Sequence, residues 1–349
     1  MRIGVPRERL VGEGRVGLLP SAVRMLVSAG HTVVVEQDAG ARSGASDADY
    51  RLAGAEIANG YQVVYESADL IVKVKEPKGE EVDCLQRGQI LFCFLHMAAH
   101  PKLNQALSDR GCIAIAYEGI QEPGGEFPLL APMSRIAGQL SVHLGSVYLL
   151  QQYGGKGLLL GGGLGRVTVL GCGVAGKAAI RAALRFGAHV TALDIKPSVL
   201  DELFEEFDGR IVTQLSTEDV IHEVVAHSDL LIGAVLIPGI KAPQVVRREH
   251  VRQMEAGSVI VDIVIDQGGC VETSRPTSYE QPTFVEEGVV HCCVRNLPSA
   301  VAKTASDALC EASLPYVERI AWLGSRMVLS DPALKSAVCV AGVQVQALS

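Results

Sequence analysis

Between Arg166 and Asp194 the chain reads RVTVLGCGVAGKAAIRAALRFGAHVTALD, with glycines at Gly171, Gly173 and Gly176. That spacing suits the binding of a pyrophosphate. Gly171 permits a tight turn, Gly173 removes a Cβ so that backbone can approach the phosphates, and Gly176 lets the following helix lie close on its sheet. The helix N-terminus adds unpaired N–H groups and a positive dipole end. Asp194, at the tip of the next apolar run, can accept both hydroxyls of a ribose and would repel a 2′-phosphate. The pattern therefore predicts NAD rather than NADP. Gly171 to Lys177 also spells GxxxxGK, but Ala178 stands where a nucleoside triphosphatase needs Ser or Thr for Mg²⁺, which removes that reading.

Four other polar residues stand where acid–base chemistry or carboxylate binding could occur. Arg15 follows the loop Gly12-Glu13-Gly14 and could hold a carboxylate with two parallel bonds; a lone loop Arg is otherwise a solvated one. Lys75 closes the run VKVK before Glu76-Pro77, with Lys73 expected on the same strand face; the alternative is a pair of exposed edge lysines. His96 ends the apolar run ILFCFL, and an imidazole titrates near neutrality, which suits proton transfer. Asp266 follows SVIVDIVI and precedes Gln267-Gly268-Gly269; it could carry a proton or merely start a turn. Asp262, inside that run, reads as a buried acid with partners.

The elements that must position these groups alternate strand with helix. Strands are predicted over 2–5, 31–36, 70–74, 90–95 and 112–117. Further strands are predicted over 167–170, 190–193, 211–213, 230–233, 259–264 and 289–294. Helices are predicted from Ser21, as a cap, to Ser28, from Ser46, over 101–110 and over 132–152. Another follows the glycine motif to Leu184, and a last one starts near Thr304. Such a rhythm implies parallel sheets covered on both faces, with ligands beyond the carboxyl ends of the strands. The glycine-rich stretch 154–165 reads as a flexible connection or hairpin. The last helix is expected to return to the first domain, so that the nucleotide-binding fold is inserted in a discontinuous one.

Composition bounds the rest. The 349 residues, 48% hydrophobic and 20% charged, describe a globular α/β chain of two or three domains. A net charge of −8 without a basic run argues against nucleic acid, and no apolar stretch is long enough to span a membrane. The opening residues enter a strand at once, leaving no room for a signal peptide. Nine cysteines include no C-x-x-C pair, so reduced buried thiols are expected in a cytoplasmic setting and no zinc or other metal site.

Several motifs then carry a resemblance over nearly the whole chain. They are IGVPRE at 3–8, GRV at 14–16, IVKVKEP at 71–77, LFCFLHMAA at 91–99 and LLAPMSRIAG at 129–138. Further on come AVLIPGIKAP at 234–243, SVIVDIVIDQGGCVETSRPT at 258–277 and VRNLPSAV at 294–301. The sequence resembles the alanine dehydrogenase family, shared with the NAD-binding subunit of pyridine nucleotide transhydrogenase. The resemblance implies a Rossmann NAD-binding domain over 129–302 inserted in a discontinuous flavodoxin/Rossmann-like substrate domain, 1–128 with 303–349, linked by long helices. It implies reversible, NAD-dependent oxidative deamination of L-alanine to pyruvate and ammonia. Arg15 and Lys75 would bind substrate, and His96 and Asp266 would be the acid/base pair. Ser134, Val174, Asp194, Ser216, Val235, Leu236, Ile263, Arg275, Asn296 and Leu297 would contact NAD beside Gly171, Gly173 and Gly176. A homohexamer is the assembly implied. The chain departs from the pattern in its short glycine-rich loop, at Val199 where a basic residue is common, and at Arg295 and Leu297. Two alternatives remain open at this point: a non-catalytic NAD(H)-binding transhydrogenase subunit, and a related reductase acting on lysine-derived adducts.

Overall fold

The computed structural model describes residues 1–97, 100–236 and 241–341. Ala98 and Ala99 of the LFCFLHMAA run, residues 237–240 of AVLIPGIKAP, and the tail 342–349 lie outside the described residues. In chain order the elements begin with β1 (Arg2–Val5), α1 (Pro20–Ser28), β2 (Thr32–Glu36), α2 (Asp47–Leu52), β3 (Glu56–Ala58) and α3 (Tyr61–Ser67). Next come β4 (Leu70–Val72), α4 (Glu80–Asp83), β5 (Ile90–Cys93), α5 (Pro101–Arg110), β6 (Ile113–Ala116) and α6 (Leu130–Tyr148). The glycine motif opens β7 (Arg166–Leu170), α7 (Val174–Arg185), β8 (His189–Asp194), α8 (Pro197–Glu206), β9 (Val212–Leu215), α9 (Glu218–Ala226) and β10 (Leu230–Gly233). The chain continues through α10 (Arg248–Val251), β11 (Val259–Asp262), β12 (Thr283–Glu286), β13 (Val289–Cys292), α11 (Ala302–Met327), α12 (Pro332–Ser336) and β14 (Val338–Ala341).

The chain forms two compact units, residues 1–133 with 299–349, and residues 134–298. Each holds a seven-stranded sheet. In the first the order is β14-β6-β5-β4-β1-β2-β3, and in the second β12-β13-β11-β10-β7-β8-β9. Both are parallel except for one antiparallel edge strand, β14 on β6 and β12 on β13. Without that edge strand, each sheet has the doubly wound 3-2-1-4-5-6 order. The switch point falls between β1 and β4 in one and between β7 and β10 in the other. The strands are apolar on both faces because both faces are covered: β5, β6, β10 and β11 are buried at every residue. In the second unit neighbouring residues feed opposite layers. Ile232 and Val261 join Val142, Ile180 and Leu203 in one layer, while Leu231 and Ile260 join Ile221, Val251 and Val271 in the other.

Local signals were partly misread from sequence. Ser21 does not cap α1; Leu19 takes that place and Pro20 is the first helical residue, where its missing N–H costs nothing. Ser46 does cap α2, through a reciprocal box with Asp49. The strands end at Val72 and Cys93, short of 70–74 and 90–95, although the Lys73 N–H still donates to the Phe92 carbonyl and the Phe94 N–H to the Val74 carbonyl; Lys75 and His96 stand in the loops beyond. The long helix begins at Leu130 and ends at Tyr148, earlier than 132–152. The glycine-rich stretch is pinned rather than loose. Lys156 Nζ bonds Asp229 and Glu255, and the Lys156 and Gly157 N–H groups donate to Gly257 and Leu149. Strands β3, β12 and β14, which lie at sheet edges and are not buried throughout, were not predicted from sequence.

Candidate active site

Every polar residue singled out in the first unit follows the carboxyl end of a parallel strand. Arg15 lies in the 6–19 loop after β1, Lys75 after β4 and His96 after β5, and these strands are consecutive in the sheet. The topology thus brings three of the four reactive candidates to one sheet edge, around the switch point where ligands of such sheets bind.

Arg15 is not the solvated arginine that loop position suggests. It is 2% exposed, and Glu13 takes its Nε and Nη2 through Oε1 and Oε2 at 2.7 and 2.5 Å. Arg15 Nη1 lies 3.1 Å from Met133 Sδ. A planar guanidinium held along one edge has its orientation fixed, which a bidentate partner accomplishes and a point charge would not.

The two lysines of VKVK have different fates. Lys73 is fully buried: its Nζ bonds Glu81 Oε1 at 2.7 Å and lies 3.6 Å from Glu8 Oε2. The alternative of two exposed edge lysines fails at Lys73, whose buried ammonium is met by carboxylates. Burial pulls the Lys73 ammonium down, but Glu8 and Glu81 together hold it above its ordinary range. Burial raises the Glu8 carboxyl in spite of Lys73. Glu8 Oε1 accepts the Val74 N–H at 2.6 Å and the Lys75 N–H at 3.3 Å, so the buried triad fixes the backbone that presents Lys75.

His96 holds a left-handed backbone, φ +47°, uncommon for a residue with a Cβ. The Glu118 carboxylate accepts its N–H at 2.5 Å and the Leu95 N–H at 3.2 Å, and lies 3.9 Å from its Nδ1. Glu118 follows β6, so it obeys the same rule of a polar residue just past an apolar strand. Sequence reading missed it, and it missed Glu8 and Glu13, whose partners lie on other elements or are met only after folding.

In the second unit the candidates again gather at carboxyl ends. Gly171 and Gly173 lie in the turn after β7, Val174 and Gly176 in the first turn of α7, Asp194 ends β8, and Ser216 follows β9. Val235 and Leu236 follow β10, Ile263 and Asp266 follow β11, and Asn296 follows β13. Gly171 has φ +84°, and a Cβ on Gly176 would run into the Gly171 carbonyl oxygen. A Cβ on Gly173 would meet nothing within 4 Å among the described residues. Space is therefore kept on the side where a pyrophosphate would approach α7. Asp194 is held by the Cys172 N–H at 2.8 Å and the Lys196 N–H at 3.0 Å, one to each oxygen, leaving lone pairs for ribose hydroxyls. The donor set fits the dinucleotide that the motif predicts. Burial, then Asp194, pushes the Cys172 thiol up to about 12, so this motif cysteine is not a nucleophile at neutral pH.

Asp262 is wholly buried and organises the loop beyond β11. It accepts the N–H groups of Val264, Cys270 and Val271 at 3.2, 2.9 and 3.2 Å. Asp266 stands free of the core with a half-exposed side chain, accepts the Asn296 N–H at 3.1 Å, and has Arg295 Nε 4.0 Å away. Three other candidates remain. The Arg275 guanidinium lies 4.0 Å over the Phe284 ring on the edge hairpin. Leu297 is buried in the core, so only its backbone could meet a ligand. Ser134 is half-buried near the start of α6. No group of three metal-binding side chains occurs among the described residues, and none of their helices is long and apolar enough to cross a membrane.

Residues 4–137 match the family described as "Alanine dehydrogenase/PNT, N-terminal domain", and residues 141–347 match its C-terminal domain. A protein named alanine dehydrogenase from Halomonas elongata is 48% identical over 335 residues, covering 95% of this chain and 90% of its own. Another of that name from Staphylococcus haemolyticus is 48% identical over 331 residues, covering 93% and 88%. A solved L-alanine dehydrogenase superposes with a TM-score of 0.94 at 45% identity, covering 100% of this chain and 99% of its own. A transhydrogenase from Sinorhizobium meliloti shares the fold, with a TM-score of 0.86 at 24% identity over 98% of each chain. With both halves matched and relatives at this identity along nearly the full length, the chain belongs to the alanine dehydrogenase/PNT family.

Proposed function

We propose that the protein is an NAD-dependent dehydrogenase that interconverts L-alanine with pyruvate and ammonia. The observation that carries the reading is the placement of Arg15, Lys75 and His96 after consecutive strand ends in a chain whose relatives bear that name.

When bound, NAD supplies the acceptor for the hydride that leaves the substrate Cα. Gly173 keeps the backbone open to the pyrophosphate, and the Asp194 oxygens take the ribose hydroxyls. Arg15, oriented by Glu13, receives the substrate carboxylate, and Lys75 Nζ holds the carbonyl or carboxylate oxygen. The amine must lose a proton before hydride departs, since an ammonium opposes positive charge growing on Cα. An imidazole nitrogen of His96 takes that proton, and the Asp266 carboxylate serves the water that then adds to the iminium carbon. Collapse of the carbinolamine returns one proton to nitrogen and releases ammonia. We further assign a cytoplasmic, homohexameric enzyme, a state that sedimentation of the 37.0 kDa chain would reveal.

Absorbance at 340 nm with only alanine and NAD added tests the reading. A steady rise supports it. No change, with pyruvate, ammonia and NADH equally inert, would reject it in favour of an NAD(H)-binding subunit that works through a partner.

A further inference from the structure

The 6–19 loop is bonded not only by its neighbours but by two hydroxyls from far along the chain. Ser43 Oγ donates to the Gly14 carbonyl at 2.8 Å, and the Val16 N–H donates to Ser306 Oγ at 3.0 Å. The two hydroxyls are 2.8 Å apart, and both are buried. One assignment of protons links these groups: Ser306 donates to Ser43, Ser43 donates to Gly14, with the Ala302 carbonyl a longer second acceptor at 3.3 Å, and Val16 donates to Ser306. The peptide groups on both sides of Arg15 are thus closed into a single buried chain of bonds. The enclosure is tight, because a Cβ on Gly14 would lie 3.0 Å from Arg42 and 3.2 Å from Ala302. Arg42 Nη1 also donates to the Glu13 carbonyl at 3.2 Å, beside the carboxylate that grips Arg15.

We propose that Ser43 and Ser306 are positioning residues for Arg15, so that the returning helix α11, through one hydroxyl, sets affinity for the substrate carboxylate. The inference rests on the role proposed above for Arg15. It gives the returning C-terminal segment a task at the site beyond filling the core. Cys310, one turn further along α11, repeats the pattern less strongly: its Sγ accepts the Leu19 N–H at 3.3 Å.

The test compares Ser306→Ala and Ser43→Ala with Ser313→Ala, a buried serine of the same helix whose hydroxyl bonds Cys310 O and not the Arg15 loop. The first two should raise KM for pyruvate by roughly 10-fold or more, since small misplacements cost up to about 10², while KM for NADH stays as in the wild type. Ser313→Ala should leave both unchanged. A second readout needs no turnover. Phenylglyoxal labelling of Arg15, followed by peptide mass spectrometry, should quicken in Ser306→Ala and Ser43→Ala only. Wild-type pyruvate KM and labelling rate in both variants would overturn the inference, as would an equal KM rise in Ser313→Ala. If the wild type turns over neither alanine nor pyruvate, the functional reading fails, and the labelling rates still decide whether the serines hold Arg15.

Discussion

Replacing Lys73 by Met tests the buried charge beneath the site. The side chain keeps its length and loses the cation that Glu8 and Glu81 face at 3.6 and 2.7 Å. All three side chains are essentially inaccessible, so no solvent replaces the lost partner. Removing one member of a buried ion pair costs about 3–5 kcal/mol, because the other charge is left uncompensated. At about 2–4 °C per kcal/mol for a unit of this size, Tm should fall by roughly 6–20 °C. The deficit should depend on pH. The Glu8 carboxyl is already raised by burial, and losing Lys73 raises it further. A carboxyl raised in the folded state contributes stability that is present at low pH and lost as pH rises through its folded value. The gap to wild type should therefore be narrower at pH 5 than at pH 8. Differential scanning fluorimetry at both pH values measures it. The triple change Glu8→Gln, Lys73→Met, Glu81→Gln should recover most of the loss, since neutralising a whole buried network is often nearly neutral. A gap that is the same at both pH values, or a triple variant as unstable as the single one, would refute the reasoning.

Three further outcomes are expected. His96→Ala should lower turnover by roughly 10²–10⁴ with NADH affinity nearly unchanged in a fluorescence titration; near-normal turnover would remove His96 from proton transfer. Gly173→Ala should fold normally and lose NADH binding, because its Cβ enters open space. Gly176→Ala should lose stability as well, because its Cβ meets the Gly171 carbonyl; the reverse order of Tm values would contradict the cradle described here. Asp262→Asn cannot accept from Val264, Cys270 and Val271 as the carboxylate does. It should cost about 1–3 kcal/mol and speed amide exchange over 263–271, and wild-type exchange there would show that Asp262 does not hold the loop.

Much of this architecture is written locally. An apolar run that ends in a polar residue marks a buried parallel strand and its rim, and on that rule Lys75, His96 and Asp266 stand out unaided. The glycine spacing with Asp194 is local too, because a turn, a helix start and a strand tip all fall within thirty residues. The edge strands were not legible. β14 has four residues and is a strand only because β6, over two hundred residues earlier, lies beside it. Nor were the environments legible: loop position left a solvated Arg15 open, yet it is buried against Glu13, and alternation left Lys73 open as an exposed edge lysine, yet it is enclosed by Glu8 and Glu81.

Sequence by itself determined the alternation of strands and helices that makes covered parallel sheets, the dinucleotide turn and the residue types available for proton transfer. Each of these follows from periodicity, glycine placement and side-chain chemistry within short windows. Only the tertiary structure decided the strand order of each sheet, which carboxylate answers which cation, and that Ser306 from the last long helix closes on the loop of Arg15. Burial makes the difference: a charge or a peptide group removed from water must find its partner inside the fold, and nothing in the neighbouring residues says where along the chain that partner will be.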